Sequence, residues 1–371
     1  MYKNLLLFFN QYKYFLLYSI SLPIVCLFLI FVGKRNLTYV EWYSSNIFSI
    51  FPNSLGRLLS IFPFSFFEVG IIAILVLLSV LLVLFIKNLF SKAGRKRIIN
   101  KLPKAIVLLL CTVSTGFLIL TLTCTLNYYR ANLADSMNLP ITSYSHEGLV
   151  SLCLLLIDDV KEITSNPGFS STLTTEDLHQ NTKTAMQKLG EDIPTLNGYY
   201  PNPKPIISSK LMSRVNLTGI FSPFTIEANY NRDVLDYIKP YTICHELAHL
   251  KGYIREDDAG FVAYLACSQS DNLTLQYSGA LNALSYTLNE LYKDSSQEEY
   301  SQILSLVPQV AINDLVANQM YWENYRSQVA EISNTANDIY LKANAQEGGV
   351  KTYGKMVNRL LSYYGFGQGL I

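Results

Sequence analysis

Three long apolar runs without a charged residue dominate the first third of the chain. They extend over residues 15–32, 69–86 and 105–126. Each is close to the about 20 residues that a helix needs to cross roughly 30 Å of hydrocarbon. Three such runs in succession are rare in water-soluble domains. The pattern therefore predicts three transmembrane helices in a membrane domain of residues 1–129.

After residue 130 the pattern becomes amphipathic. Apolar positions recur at helical spacing over 149–163, 174–189, 276–293, 297–305, 309–345 and 350–364. Residues 194–233 differ, because they are rich in Pro and Gly and contain short β-prone runs, KPIISS and TGIFSPFTIEANYN. We predict a mainly α protein: three N-terminal transmembrane helices, then a mostly helical domain over 130–371 with a small β-sheet.

The distribution of charge separates the same two parts and predicts their topology. Residues 1–129 contain twelve Lys or Arg and two acids, a net charge of +10, whereas residues 130–371 carry a net charge of −9. Seven basic residues and no acid lie in 87–104, which predicts a cytoplasmic loop by the positive-inside rule. The C-terminal domain is then extracytoplasmic, although Lys34 and Arg35 after the first run oppose this orientation weakly.

Residues 36–68 would form the outer loop between the first two spans. This segment is rich in aromatic and aliphatic residues, among them Trp42, Phe51 and Phe62. Such a composition favours short interfacial helices lying along the bilayer. Alternatively, this loop covers the C-terminal domain.

The candidate chemistry is concentrated in one short segment, TICHELAHLKGYIREDDAGF. On a helix, His245 and His249 lie one turn apart on the same face, where two imidazoles can hold one Zn²⁺. Glu246 beside them is the candidate general base on a metal-bound water. Lys251-Gly252 predicts the end of this helix, and a second helix from Glu256 would return that carboxylate as third ligand.

The alternative for the histidines is an ordinary role in the core. Asp257 and Asp258 are expected as charges at a helix N-terminus, with a contact from Asp258 to a histidine N–H as the other option. The six cysteines show no CxxC spacing, so no disulfide framework is expected. No Walker loop, Rossmann fingerprint or basic stripe is present, and we expect no nucleic-acid partner.

The run GIFSPFTIEANYN (219–231) is the candidate strand for substrate binding beside the metal. Many zinc peptidases add the substrate backbone to such an edge strand. Glu227 and Asn229 alternate on one face of the run and are the candidate substrate contacts; the alternative is the polar outer face of a half-buried strand.

The chain resembles the bacterial membrane family called domain of unknown function 3810. The resemblance spans nearly the full length and includes FPFS (62–65), GIFSPFTIEAN (219–229), HELAH (245–249), REDDAGFVAYLA (255–266) and NDIYLKANAQEGGVKTYG (337–354). It implies a zinc metallopeptidase of gluzincin type and no particular substrate. Gly260 departs from the family's usual Asn, whereas Glu256 and Ala259 match. Tyr353, Tyr264 and Tyr230 are candidate phenols for stabilising an oxyanion.

These observations lead to one main hypothesis and two alternatives. The main one is a multi-pass cell-membrane zinc metallopeptidase whose outer domain cleaves a peptide or protein substrate. The first alternative is a non-catalytic zinc-binding sensor or scaffold that recognises an envelope peptide or cell-wall ligand; turnover that depends on Glu246 would separate the two. Intramembrane proteolysis is disfavoured, because the motif follows the last span by more than a hundred residues.

Overall fold

The computed structural model describes residues 2–139, 142–143, 145–343, 353–366 and 368–369. Within these residues the chain is mainly helical, with one three-stranded sheet and one two-stranded pair. The helices are α1 (Tyr2–Arg35), α2 (Leu37–Tyr43), α3 (Arg57–Ser60), α4 (Phe66–Leu89), α5 (Lys92–Thr123), α6 (Leu133–Ser136), α7 (His146–Ser165), α8 (Thr175–Asp192), α9 (Ser209–Arg214), α10 (Ile238–His249), α11 (Glu256–Ser268), α12 (Leu273–Asp294), α13 (Gln297–Leu304), α14 (Gln309–Glu323), α15 (Gln328–Ala343) and α16 (Tyr353–Tyr363).

The three apolar runs form helices α1, α4 and α5, each long and apolar enough to cross a membrane. In α4 every residue from Ile71 to Lys87 is exposed. A water-soluble fold would bury such side chains, and lipid would cover them here. Helices α1 and α4 both pack against α5. The prediction of three membrane helices is therefore confirmed.

The basic segment 87–104 is mostly helical and is not the loop that the charge pattern predicted. Helix α4 continues to Leu89, and α5 already begins at Lys92 after the Ser91 side chain caps its first turn. The basic residues therefore lie on the ends of two helices joined by a short turn. Their charge gave no information about backbone conformation, because Lys and Arg are good helix formers.

Residues 36–66 form the predicted short helices, and these pack on the C-terminal domain. Helices α2 and α3 are joined by two π-helical turns, Ser44–Phe48 and Pro52–Gly56. The ammonium group of Lys204 is buried and donates to the carbonyl of Leu59 at 3.0 Å and to that of Phe62. The segment therefore covers the domain, as the alternative interpretation proposed.

The core of the C-terminal domain is built around α11. Every residue of this helix from Asp257 to Cys267 is buried. Helices α10, α12 and α16 pack on it, and α7 packs on the far side of α12. Burial on all sides explains why the run AGFVAYLAC contains only small and apolar residues and one tyrosine.

The three-stranded sheet has the order β2 (Lys204–Ile206), β4 (Glu227–Asn231), β3 (Gly219–Ser222). Strand β4 is central, parallel to β2 and antiparallel to β3. The small sheet expected over 194–233 is thus confirmed, and β3 is an edge strand. A second pair joins β1 (Thr142–Ser143) to β5 (Gln368–Gly369).

One predicted helix is wrong in length. The single helix expected over 309–345 is interrupted at residues 324–327, which separate α14 from α15. The segment there reads NYRS, without Pro or Gly, so no strong breaker marked the boundary.

Candidate metal centre

A glycine turn brings the two halves of the motif together. Helix α10 ends at His249, and the N–H groups of Gly252 and Tyr253 donate back to the carbonyls of His249 and Ala248 at 3.0 and 3.2 Å. Gly252 has φ +81°, a left-handed conformation that favours glycine. The chain then reverses into α11, which packs against α10 and places Glu256 beside His245.

His245 lies close to two other potential metal ligands at this junction, Glu256 and His249. The Nε2 atom of His245 lies 3.1 Å from Oε2 of Glu256. The ring centroids of His245 and His249 are 4.8 Å apart, with the rings in an edge-to-face arrangement. Two atoms bound to one tetrahedral zinc at about 2.1 Å lie roughly 3.4 Å apart. The spacing of His245 and Glu256 therefore fits ligands that share an ion.

His249 is held by a backbone carbonyl. Its Nδ1 atom lies 2.7 Å from the carbonyl oxygen of Tyr253, so a proton on Nδ1 leaves Nε2 with its lone pair available. A backbone carbonyl is a usual hydrogen-bond partner for the ring N–H of a histidine whose other nitrogen binds a metal. Burial, together with the charge of His245, lowers the pKa of His249 to about 4, which keeps the imidazole neutral and able to coordinate.

The pKa of His245 shifts in the opposite direction. Burial alone would lower it, but the hydrogen bond to Glu256 and the charges of Glu256 and Glu246 outweigh that effect and raise it. In the protein without a metal, a proton shared by His245 and Glu256 thus holds the two groups together. A cation would replace that proton.

Glu246 lies in the same cluster, with one side-chain oxygen within 4.8 Å of ligand atoms of both histidines. Its carboxylate is buried beneath β3, where Oε1 and Cγ lie against Gly219. Burial is the main reason that its pKa rises to about 8. The Oε2 atom has no hydrogen-bond partner among the described residues, which leaves one buried acceptor for a water or a substrate group.

The edge strand β3 passes directly over Glu246. Thr218, Ile220 and Ser222 make the hydrogen bonds that join this strand to β4 and to the following turn. Successive residues of a strand point their backbone groups to opposite sides, so those of Gly219 and Phe221 face the open edge. Gly219 is in close contact with α10: a Cβ atom there would lie 2.7 Å from the methyl group of Thr242 and would collide with the Glu246 carboxylate.

A cavity of about 760 Å³ connects these groups. Its polar lining beyond the motif consists largely of amides and phenols that the sequence interpretation missed: Asn216, Asn282, Asn334, Asn337, Tyr128, Tyr241, Tyr286 and Tyr340. Tyr241 lies on α10 itself and Asn216 just before β3, whereas the others come from the 3₁₀ turn after α5, from α12 and from α15. Only packing brings them together, and no local motif in the sequence marks them.

Glu227 and Asn229 do not lie in this cavity. Both are buried in the central strand β4. The Glu227 carboxylate accepts the N–H groups of Phe66 and Phe67, and the Asn229 amide donates to Ile220 and Glu227 carbonyls. The structure does not bring these two predicted substrate contacts to the candidate centre, because the run 219–231 forms two strands and not a single edge strand. The edge is β3, and its residues line the cavity.

Asp257 and Asp258 do not contact the histidines. Arg359 on α16 pairs with both carboxylates at 2.6 Å, and Asp258 also accepts the Leu133 N–H and pairs with Arg255. These contacts anchor the N-terminus of α11, as expected for helix-terminal charges. His249 uses the Tyr253 carbonyl in place of Asp258.

The three candidate phenols are also placed elsewhere or not described. Tyr264 hydrogen-bonds Tyr364 in the core, and the Tyr230 hydroxyl lies 3.0 Å from His179. The side chain of Tyr353 lies outside the described residues. Gly260 has a structural reason, since its carbonyl accepts the buried Tyr241 hydroxyl at 3.1 Å and a Cβ would press on that oxygen.

Comparison with known proteins adds one finding. The family model described as "Protein of unknown function (DUF3810)" matches residues 43–361. The chain belongs to this family. No curated protein and no solved structure matches it.

The match to the DUF3810 model extends from α2 into α16. It therefore includes two of the three membrane helices, most of the covering segment 36–66, the edge strand and all four residues of the candidate centre. Membrane helices and candidate centre belong to one family unit. Because the family's description states no activity, the function of this DUF3810 member has to be argued from its site.

Proposed function

We propose that this protein is a membrane-anchored zinc metallopeptidase with a zincin-like centre, which hydrolyses peptide bonds. One observation carries the proposal: His245, Glu246 and His249 have ligand atoms within 4.8 Å of one another, Glu256 lies 3.1 Å from His245, and all four line a cavity beside the open edge of β3. Each of these parts has a defined task in metal-assisted hydrolysis.

The donor set suits zinc. Two imidazole nitrogens and one carboxylate oxygen are the ligands of many catalytic zinc sites, which keep a further position for water. His245, His249 and Glu256 would hold the ion, and the Tyr253 carbonyl would fix the His249 tautomer. Bound zinc would supply Lewis acidity and lower the pKa of a coordinated water toward ~7.

Glu246 would manage the proton in the reaction. A cation held by the neighbouring ligands would favour the ionised form of Glu246. The buried carboxylate would then accept one proton of the attacking water while the water oxygen bonds to the peptide carbonyl carbon. It then delivers that proton to the amide nitrogen as the C–N bond breaks. The products are a free carboxylate and a free amine, so no other reactant is needed.

Strand β3 would orient the substrate. An extended peptide can add to the open edge through the backbone groups of Gly219 and Phe221. Because Gly219 of β3 also lies against the Glu246 side chain, the same strand would align the scissile bond and the base.

The test uses full-length protein in detergent, equilibrated with zinc and washed. We expect about one zinc per chain in the wild type, loss of zinc in His249→Ala, and retention in Glu246→Gln. A quenched fluorescent peptide library should be cleaved by the wild type but not by His249→Ala or Glu246→Gln. Glu298→Gln, an exposed glutamate on α13, is the matched control and should behave as the wild type.

Two results would contradict the proposal. Peptide cleavage by Glu246→Gln at the wild-type rate would remove the general base from the mechanism. A wild type that binds no zinc would remove the metal centre itself.

A further inference from the structure

We propose, on the basis of the function above, that the substrate is a polypeptide tethered to the same membrane and cut close to the bilayer surface. The inference comes from the position of the cavity relative to the membrane helices.

The first argument is that the third membrane helix ends in the wall of the cavity. Helix α5 stops at Thr123, and a 3₁₀ turn over Thr125–Tyr129 continues it. Cys124 and Tyr128 line the cavity, and Phe221 of the edge strand packs against them. Five residues of 3₁₀ helix rise about 10 Å, so the cavity starts within roughly that distance of the apolar helix.

The second argument is that the second membrane helix begins on the same sheet. Glu227 accepts the N–H groups of Phe66 and Phe67 at 3.0 and 2.8 Å, and Glu68 accepts those of Ile207 and Ser208 at 2.9 and 2.7 Å. Both carboxylates are buried. Charged, buried hydrogen bonds of this kind fix the sheet to the start of α4.

The third argument concerns exposed apolar side chains next to these helix ends. Ile207 and Leu211 are 64% and 59% exposed beside the start of α4. On α15, Val329, Ile332 and Ile339 are more than half exposed and follow helical spacing along one face.

Helix α15 contacts both the cavity and the end of the membrane helix α5. Its Tyr340 contacts Tyr128 with ring centroids 6.4 Å apart, and Asn337 and Tyr340 line the cavity. One side of α15 therefore forms cavity wall beside the end of α5. Continuity with that membrane helix identifies the bilayer surface as the partner of the exposed apolar side.

Together these contacts place the open edge of β3 beside the outer ends of two membrane helices. A polypeptide that leaves the bilayer nearby reaches this edge at high effective concentration. A freely dissolved peptide has no such advantage.

The experiment reconstitutes full-length protein in phosphatidylcholine vesicles. One fluorogenic peptide library is added in three forms: acetylated and free, anchored by two acyl chains through about 4 residues, and anchored through about 24 residues. Glu246→Gln vesicles give the background. We expect the short-spacer form to be cleaved about 10-fold faster than both others at equal total concentration.

The long spacer separates position from simple enrichment at the surface, because both anchored forms are equally enriched. Cleavage of the long-spacer or free form at least as fast as the short-spacer form would overturn the inference and leave the peptidase function standing. Cleavage of none of the three forms by zinc-loaded protein would overturn the proposed function itself.

Discussion

Gly219 is the residue where the candidate site tolerates least change. The edge strand lies so close to α10 that the position has no room for a Cβ atom. The obstacle includes the Glu246 carboxylate, so any side chain at 219 would move either the strand or the base. Both displacements would disturb the alignment that hydrolysis requires.

We predict that Gly219→Ala lowers kcat about 10- to 100-fold, the loss typical of a displacement near 1 Å. Zinc content should stay at the wild-type level, because Gly219 is not a ligand. Gly70→Ala is the matched control, since a Cβ there meets nothing within 4 Å. Wild-type kcat in Gly219→Ala would show that the strand does not position the base.

At this scale the sequence was informative where spacing alone sets geometry. His245 and His249 are one helical turn apart whatever the tertiary fold. Gly252 indicated the end of the helix and the turn that brings Glu256 back to it. Glu227 and Asn229 could not be assigned in the same way. Their environment depends on which strand is central, and that follows from β2, which pairs with β4 from a distant part of the chain.

At the scale of elements, His179 connects helix α8 to the central strand. Its Nε2 atom lies 3.0 Å from the Tyr230 hydroxyl. Burial, with the nearby charges of Lys183 and Lys204, lowers the pKa of His179 to about 4. In the unfolded chain the same group titrates near 6.5.

This difference predicts acid sensitivity. Because the folded pKa is the lower one, the contribution of neutral His179 is complete above about pH 6.5 and is lost as the pH falls toward 4. At pH 5.5 the loss is about 1 kcal/mol. His179→Gln keeps a hydrogen-bonding group and does not titrate. Between pH 7.5 and 5.5, thermal unfolding in detergent should therefore change less in the variant; equal changes would contradict the assignment.

The elements show the limits of pattern analysis equally clearly. Long apolar runs and amphipathic periods located α1, α4, α5, α7, α8 and α12, because lipid or core contact dictates those patterns. The gap between α14 and α15 was missed, since NYRS is compatible with helix. The break between the two helices goes with tertiary contacts of α15 that the sequence does not reveal. One of them is the hydrogen bond from the Ser333 hydroxyl to the Val215 carbonyl at 2.9 Å.

At the scale of the whole molecule, the distribution of charge is consistent with the contacts that hold the C-terminal domain to the membrane helices. The acidic domain is held at the start of α4 by Glu227 and Glu68, and at the end of α5 by Arg130, which donates to the Lys251 carbonyl at 2.8 Å. The basic ends of α4 and α5 lie at the opposite end of those helices. The molecule thus separates its charges along the direction in which it would cross a bilayer.

The positive-inside rule then predicts the orientation, with the basic ends cytoplasmic and the candidate centre outside. Lys96→Cys and Lys161→Cys introduce single exposed thiols at the two ends. In spheroplasts, a membrane-impermeant maleimide should label the cysteine at 161 directly and that at 96 only after permeabilisation. Wild-type protein gives the background from the native cysteines, five of which are buried. The reverse labelling pattern would place the centre in the cytoplasm and exclude an extracytoplasmic substrate.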